Sequence, residues 1–293
     1  MLKKISHNED VRTSEDAVSL PAAPDHSPPA VVKPAARKRR GAKKFQAFEV
    51  SMWVTKLHDV EIGIYQHSRH EAKSRQFTKD MDLFGEIKSN GERIGLLGYR
   101  KELWQSHQGM DKRLVIKLFS PNMNWQATMD LMLGRSLQLT HGARGLPVTA
   151  FSINLDSHEQ VVQIERSANK WPGMPESFSF FILEEGRPRF YRLKRDFISI
   201  GVDFTLFDEQ DRKVAAIDGR VITLGGKWAI TIDEDHAYPK LGMVLQLFCG
   251  MLKFNDEVRH HVEDLTSAMH RSKLVPKLEQ TEADLYMNPR RVR

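Results

Sequence analysis

Apolar and polar positions alternate along most of the chain between Phe45 and Asp233, and turn-forming residues break the alternation at short intervals. A period of two is the spacing of strands with one buried face. The segment FQAFEVSMWVTKLHDVEIGIY from Phe45 to Tyr65 predicts two strands, rich in β-branched and aromatic residues. Phe84 to Tyr99 repeats the pattern around Ser89-Asn90-Gly91, where the Asn-Gly pair signals a hairpin because both residues tolerate positive φ. Arg113 to Phe119 (RLVIKLF) reads as a further strand. Ser120-Pro121 then predicts a helix start, with Trp125, Met129, Met132 and Leu133 at helical spacing on a core-facing side. Beyond it, LPVTAFSINL and QVVQIER pair as one hairpin, and SFFILEEGRPRFYRL forms another that turns at Glu185-Gly186. Strands near Phe204–Leu206 and Lys213–Ile217 flank Asp208-Glu209-Gln210-Asp211, and Gly225-Gly226 separates Arg220–Leu224 from Trp228–Ile232. Turns this regular predict a meander.

The alternation ends at KLGMVLQLFCGMLKF, where Leu241 to Leu252 is apolar on nearly every side of a helix. Such a run needs protein all around it. It is too short for the ~20 apolar residues of a membrane-spanning helix and is bounded by Lys240 and Lys253. Asn255 is placed to cap a second helix, whose Val258, Val262, Leu265 and Met269 make one apolar stripe. The fold class expected is α+β: mainly antiparallel β-sheet or barrel packed around a central apolar helix. Residues 1–44 form a basic tail expected to be disordered. Residues 45–272 form a β-rich globular region with a buried helix near 240–254 and a surface helix near 256–270. A sub-boundary near 140 stays open, and residues 273–293 form a loose tail.

The segment FTLFDEQDRKVAAIDGRVITLGGKWAITIDEDH resembles the repeated unit of the LURP-one-related, or tubby C-terminal-like, proteins. The matching steps are Asp208 in an aspartate-rich turn, Ile217-Asp218-Gly219-Arg220, Leu224-Gly225-Gly226-Lys227-Trp228, and Asp233. The resemblance covers residues 187–254. It implies a β-barrel enclosing a hydrophobic helix, and a binding or scaffold role, since tubby proteins bind phosphoinositide head groups and scramblase relatives are membrane-associated. No lipid-binding residue of the family maps onto a position of this chain.

The formal charge of +6 is carried by the ends. Residues 1–44 hold ten Lys/Arg against five Asp/Glu, residues 273–293 five against three, and the stretch between them twenty-nine against thirty. A fold that bound nucleic acid in bulk would itself present a basic face. Arg37, Lys38, Arg39, Arg40, Lys43 and Lys44 are instead the expected contact for an anionic lipid surface or an acidic protein, and nucleic acid is reached through this tail only. The opening MLKKISHNEDVRTSEDAV has no apolar h-region, so no signal peptide is expected. With a single cysteine, Cys249, inside the apolar helix, the expected setting is a reducing one: a soluble cytoplasmic protein, at most peripheral at a membrane.

Candidate chemistry is sparse. Thr140-His141-Gly142-Ala143-Arg144-Gly145 is the best ligand-contacting loop: its glycines allow backbone N–H groups near an anion, and Arg144 offers a planar donor set. The ligand set read from it is His141, Gly142, Arg144 and Gly145, set against the plainer reading of a tight connection. Glu257, His261 and Asp264 share a helix face at i, i+4 and i+7, but that face borders the apolar stripe, and no metal site is assigned. No nucleophile elbow, HExxH motif or cofactor fingerprint occurs. The function read from the sequence is non-catalytic binding or scaffolding. An enzyme whose site no motif marks, and a nucleic-acid binder acting through the tail, are the alternatives.

Overall fold

A computed structural model describes residues 45–53, 76–156, 160–168, 174–197, 202–220, 226–277 and 282–283. The part of the predicted Phe45–Tyr65 strand pair beyond Trp53, the basic cluster Arg37–Lys44 and most of the predicted Arg220–Leu224 strand lie outside these residues. Twelve antiparallel strands form one closed barrel. They are β1 (Phe45–Met52), β2 (Met81–Ser89), β3 (Glu92–Arg100), β4 (Val115–Phe119), β5 (Trp125–Leu131), β6 (Ala150–Leu155), β7 (Val161–Arg166), β8 (Ser177–Glu184), β9 (Arg187–Arg195), β10 (Phe204–Phe207), β11 (Lys213–Arg220) and β12 (Lys227–Asp233). Every strand pairs with its sequence neighbours, and β1 closes the ring on β12, Val50 opposite Trp228. Closure leaves no unpaired strand edge. Strands from both sides of residue 140 contribute to the same ring.

The turns follow their residues. Asn90 and Gly91 carry φ of 51° and 83°, and Glu185 and Gly186 carry 49° and 76°, so both hairpins close with two successive left-handed residues. That is the backbone of the turn whose twist matches paired strands.

Among the described residues three α-helices accompany the barrel: α1 (Leu133–Gly142), α2 (Pro239–Leu252) and α3 (Asn255–His270). In α2, Leu241, Val244, Leu245, Leu247, Phe248, Cys249 and Met251 are fully buried. The helix packs on β1, β4, β5 and β6. Phe248 meets Phe178 of β8 and Phe204 of β10 edge-on at 5.0 and 5.1 Å between ring centroids. Gly250 sits so close to Leu97 of β3 that an added Cβ would lie 3.3 Å from its Cδ1. Strand residues of the opposite parity face outward: on β8, Phe178, Phe180 and Ile182 are buried while Ser177, Ser179 and Phe181 are not. Among the described residues no helix is long and apolar enough to cross a membrane.

Two sequence expectations are corrected. Residues 121–132 are not a helix. Ser120 and Asn124 close a tight turn around Met123 at φ 60°, and Trp125–Leu131 is β5, with Ala127, Met129 and Leu131 facing the core. A spacing of four fits a period of two as well as one of 3.6, so Trp125 and Met129 could not discriminate between them. The helix begins only at Leu133. Asn255 does not cap α3: its Nδ2 donates to Glu176 Oε1 at 3.2 Å, and the α3 N-terminus has no side-chain cap.

Candidate functional site

The outward faces of β3 to β6 form one wall of a cavity of about 330 Å³. Parity decides which side chains reach it. On β4, Ile116 and Leu118 join the core, so Val115 and Lys117 point outward. On β6, Phe151 and Ile153 join the core, leaving Ser152 and Asn154 to the cavity. Arg100 ends β3, Arg113 precedes β4, and Thr128 and Asp130 come from β5. The first residue of α1, together with Lys277 and Glu282, completes the lining.

Most charges here are held in pairs. Arg100 Nε donates to Asp80 Oδ2 at 2.8 Å, and Arg113 pairs with Asp130. Lys117, only 7% exposed, donates from Nζ to the Gln76 carbonyl at 2.9 Å and to Gln76 Oε1 at 2.8 Å. Burial, and then the nearby Arg100 guanidinium, hold its pKa below the ordinary lysine value. Burial opposes ionisation of Asp80, but hydrogen bonds from Thr78 and Arg100 outweigh it and lower its pKa. Glu282 accepts from the backbone N–H of Gly134 at 3.0 Å and of Arg135 at 2.5 Å, at the start of α1. Ser152, 3% exposed, lines the cavity from β6 beside Asn154.

The loop singled out from sequence is built differently from an anion cradle. Thr140, His141 and Gly142 end α1, and Arg144 and Gly145 follow with φ of 59° and 85°. The N–H groups of Ala143, Arg144 and Gly145 already donate to the carbonyls of Leu139, His141 and Thr140. Thr140 is buried and bonds Val148, while His141 Nδ1 lies 3.3 Å from His270 Nε2 at the end of α3. A helix C-terminus also presents carbonyls, which suit cations.

Other chemistry-bearing residues serve the fold. Asp208, 1% exposed, accepts from the N–H groups of Gln210 and Arg212 and from Arg212 Nε at 2.7 Å, closing the β10–β11 turn. Trp104 Nε1 donates to Glu257 and its ring meets His261 edge-on. Burial raises the Cys249 thiol pKa, which is the opposite of activation. No group of three or more metal-ligating side chains occurs among the described residues. The sequence reading missed the cavity. Its one local signal was a lysine in the middle of the apolar strand VIKLF.

Comparisons with models of protein families, with curated proteins and with solved structures found no match.

Proposed function

We propose that this chain is a non-catalytic binding protein of the LURP-one/tubby-like kind, with α2 as the central helix of the barrel and the cavity over β3–β6 as its ligand site. The central position of α2 is supported by its fully buried residues and by its contacts with strands spread around the ring, from β1 through β4 to β8 and β10. The observation that carries the ligand site is the cavity itself, about 330 Å³ and lined on its β6 side by the polar side chains of Ser152 and Asn154. Ligand pockets typically combine such a volume with a few convergent polar groups. Asn154 stands two residues further along the same face of β6, and Arg113 and Lys117 give the cavity a cationic side. Arg37, Lys38, Arg39, Arg40, Lys43 and Lys44 supply a second contact, to an anionic lipid surface or an acidic protein.

The ligand site is tested by thermal shift and calorimetry of the full chain against citrate, succinate, inorganic phosphate and inositol hexakisphosphate. At least one of these anions raises the melting temperature. Ser152→Ala and Asn154→Ala each weaken its binding about tenfold, the loss of roughly one hydrogen bond to a charged group. Binding unchanged in both variants would move the ligand elsewhere.

A further inference from the structure

Two histidines from distant parts of the chain meet at the far end of α1. His141 lies in the last turn of α1 and His270 in the last turn of α3. The two helices pack on each other, and Leu137 and Thr266, one turn before the respective histidines, are buried. Side chains one turn apart share a helix face, so both imidazoles leave their helices beside the packed sides. There His141 Nδ1 stands 3.3 Å from His270 Nε2, and both side chains are exposed.

Two features of this meeting point suit a metal cation. The first is the separation of the nitrogens. Zinc sits roughly 2.0–2.1 Å from each imidazole nitrogen that binds it, so two ligands at the tetrahedral angle stand about 3.3 Å apart. The second is the field. α1 and α3 bring their C-terminal ends to one place, and each end carries a partial negative charge that favours a cation. Arg144 and Arg271 follow the two ends and oppose a metal ion, but both are exposed, where solvent screens them. Imidazole pairs select zinc, copper and nickel over magnesium and calcium, which prefer oxygen.

We propose that His141 and His270 chelate a divalent transition-metal ion of the zinc, copper and nickel class, with water in its remaining positions. The site lies outside the cavity over β3–β6 and does not depend on it. In the metal-free pair one facing nitrogen carries a hydrogen and the other its lone pair. Binding moves that hydrogen to the far nitrogen of the same ring, so both facing nitrogens give lone pairs and two neutral rings lose no proton. Protons compete for the same lone pairs, and affinity falls as the pH falls. The metal ties the end of α1 to the end of α3 and so stabilises the folded chain.

The test titrates zinc into the chelator-treated full chain by calorimetry and follows melting temperature, with magnesium and calcium as controls. Zinc is expected to bind one per chain at this pair and to raise the melting temperature. His141→Ala and His270→Ala should each weaken that binding at least tenfold, and His67→Ala with His70→Ala should leave it unchanged. Cobalt(II) should give the visible absorption of a tetrahedral site in the unaltered chain and lose it in either single variant. Because the pair also makes a hydrogen bond, either variant can lower the metal-free melting temperature. The quantity compared is therefore the shift that zinc produces within each variant, and His141→Asn provides a polar replacement if His141→Ala does not fold. Zinc affinity unchanged in both His141→Ala and His270→Ala overturns the site, as does a hydrogen-bonded pair whose melting temperature zinc leaves alone. An equal shift from magnesium or calcium overturns the metal class.

Discussion

Gly219 stands where the backbone of Val202 passes closest to β11. A Cβ added there would lie 2.9 Å from the Val202 carbonyl oxygen and 3.1 Å from its nitrogen, and backbone cannot retreat as a side-chain tip can. The Gly219 N–H donates to Asp203 Oδ1 at 2.7 Å, which fixes the approach. Gly219→Ala is therefore expected to cost about 1–3 kcal/mol, as overpacking of a filled site does, read as a lower denaturant midpoint at unchanged slope. Asp208 and Gly219, two residues that carry the sequence resemblance, thus have structural roles that a turn and a close crossing explain. Titration is a second matter decided residue by residue. Burial, and then Lys112, hold the His261 pKa below its ordinary value, while burial does the same for His236, packed against Tyr191 and Tyr238 and near Asp208, Arg212 and Arg189. The folded chain then binds these protons less readily than the unfolded chain. Stability is independent of them above about pH 6.5 and falls as the pH drops below it. Melting temperatures between pH 7 and pH 5 should fall for the unaltered chain and fall less steeply for His261→Gln, with His236 supplying the remaining slope. An identical slope in the two would remove His261 as a source.

At the scale of elements, α2 shows how composition fixes an environment. A helix apolar on nearly every side has no solvated face to turn outward, and its residues from Leu241 to Met251 are buried accordingly, Met243 and Gln246 being the partial exceptions. Leu245→Asp should cost on the order of 4 kcal/mol or more, because a carboxylate would be buried without a partner. Against the ~5–15 kcal/mol of a typical domain, that is enough to leave much of the chain unfolded. Circular dichroism and gel filtration of the purified variant would read this directly, and a folded variant with unchanged melting would contradict the burial. The β5 segment teaches the converse. Its apolar residues fitted two periods, and the decision between them came from pairing with β4 and β6, where Met129 lies opposite Ile116 and Ile153. The α1 cap is a similar case, since its partner Glu282 is remote in sequence and no local pattern announces it.

At the scale of the whole molecule, charge is divided between a near-neutral central stretch and basic ends. Binding of the full chain to phosphatidylserine vesicles should weaken as salt rises, since exposed charges are screened and counterions compete. Replacing Arg37, Lys38, Arg39, Arg40, Lys43 and Lys44 by alanine should reduce that binding at least tenfold, because each basic residue near such a surface contributes about 1 kcal/mol. Equal sedimentation of the two chains would place the contact on the folded part. Much of the β architecture was legible in the sequence: the Asn90-Gly91 and Glu185-Gly186 turns, the alternating strands around them, and an apolar helix that had to be covered. These are local properties, fixed by backbone preference and by the period of burial. Closure of the ring through β1 and β12 was not legible, because Val50 and Trp228 are 178 positions apart and nothing in either segment names the other. The cavity was hidden for the same reason. Lys117, Ser152 and Glu282 each sit in an unremarkable stretch of sequence, and only the pairing of β3 to β6 and the return of the chain to the start of α1 bring them to one place. The sequence by itself determined which face of each element is apolar. The tertiary structure decided which polar faces meet, since that depends on contacts between positions far apart in the chain.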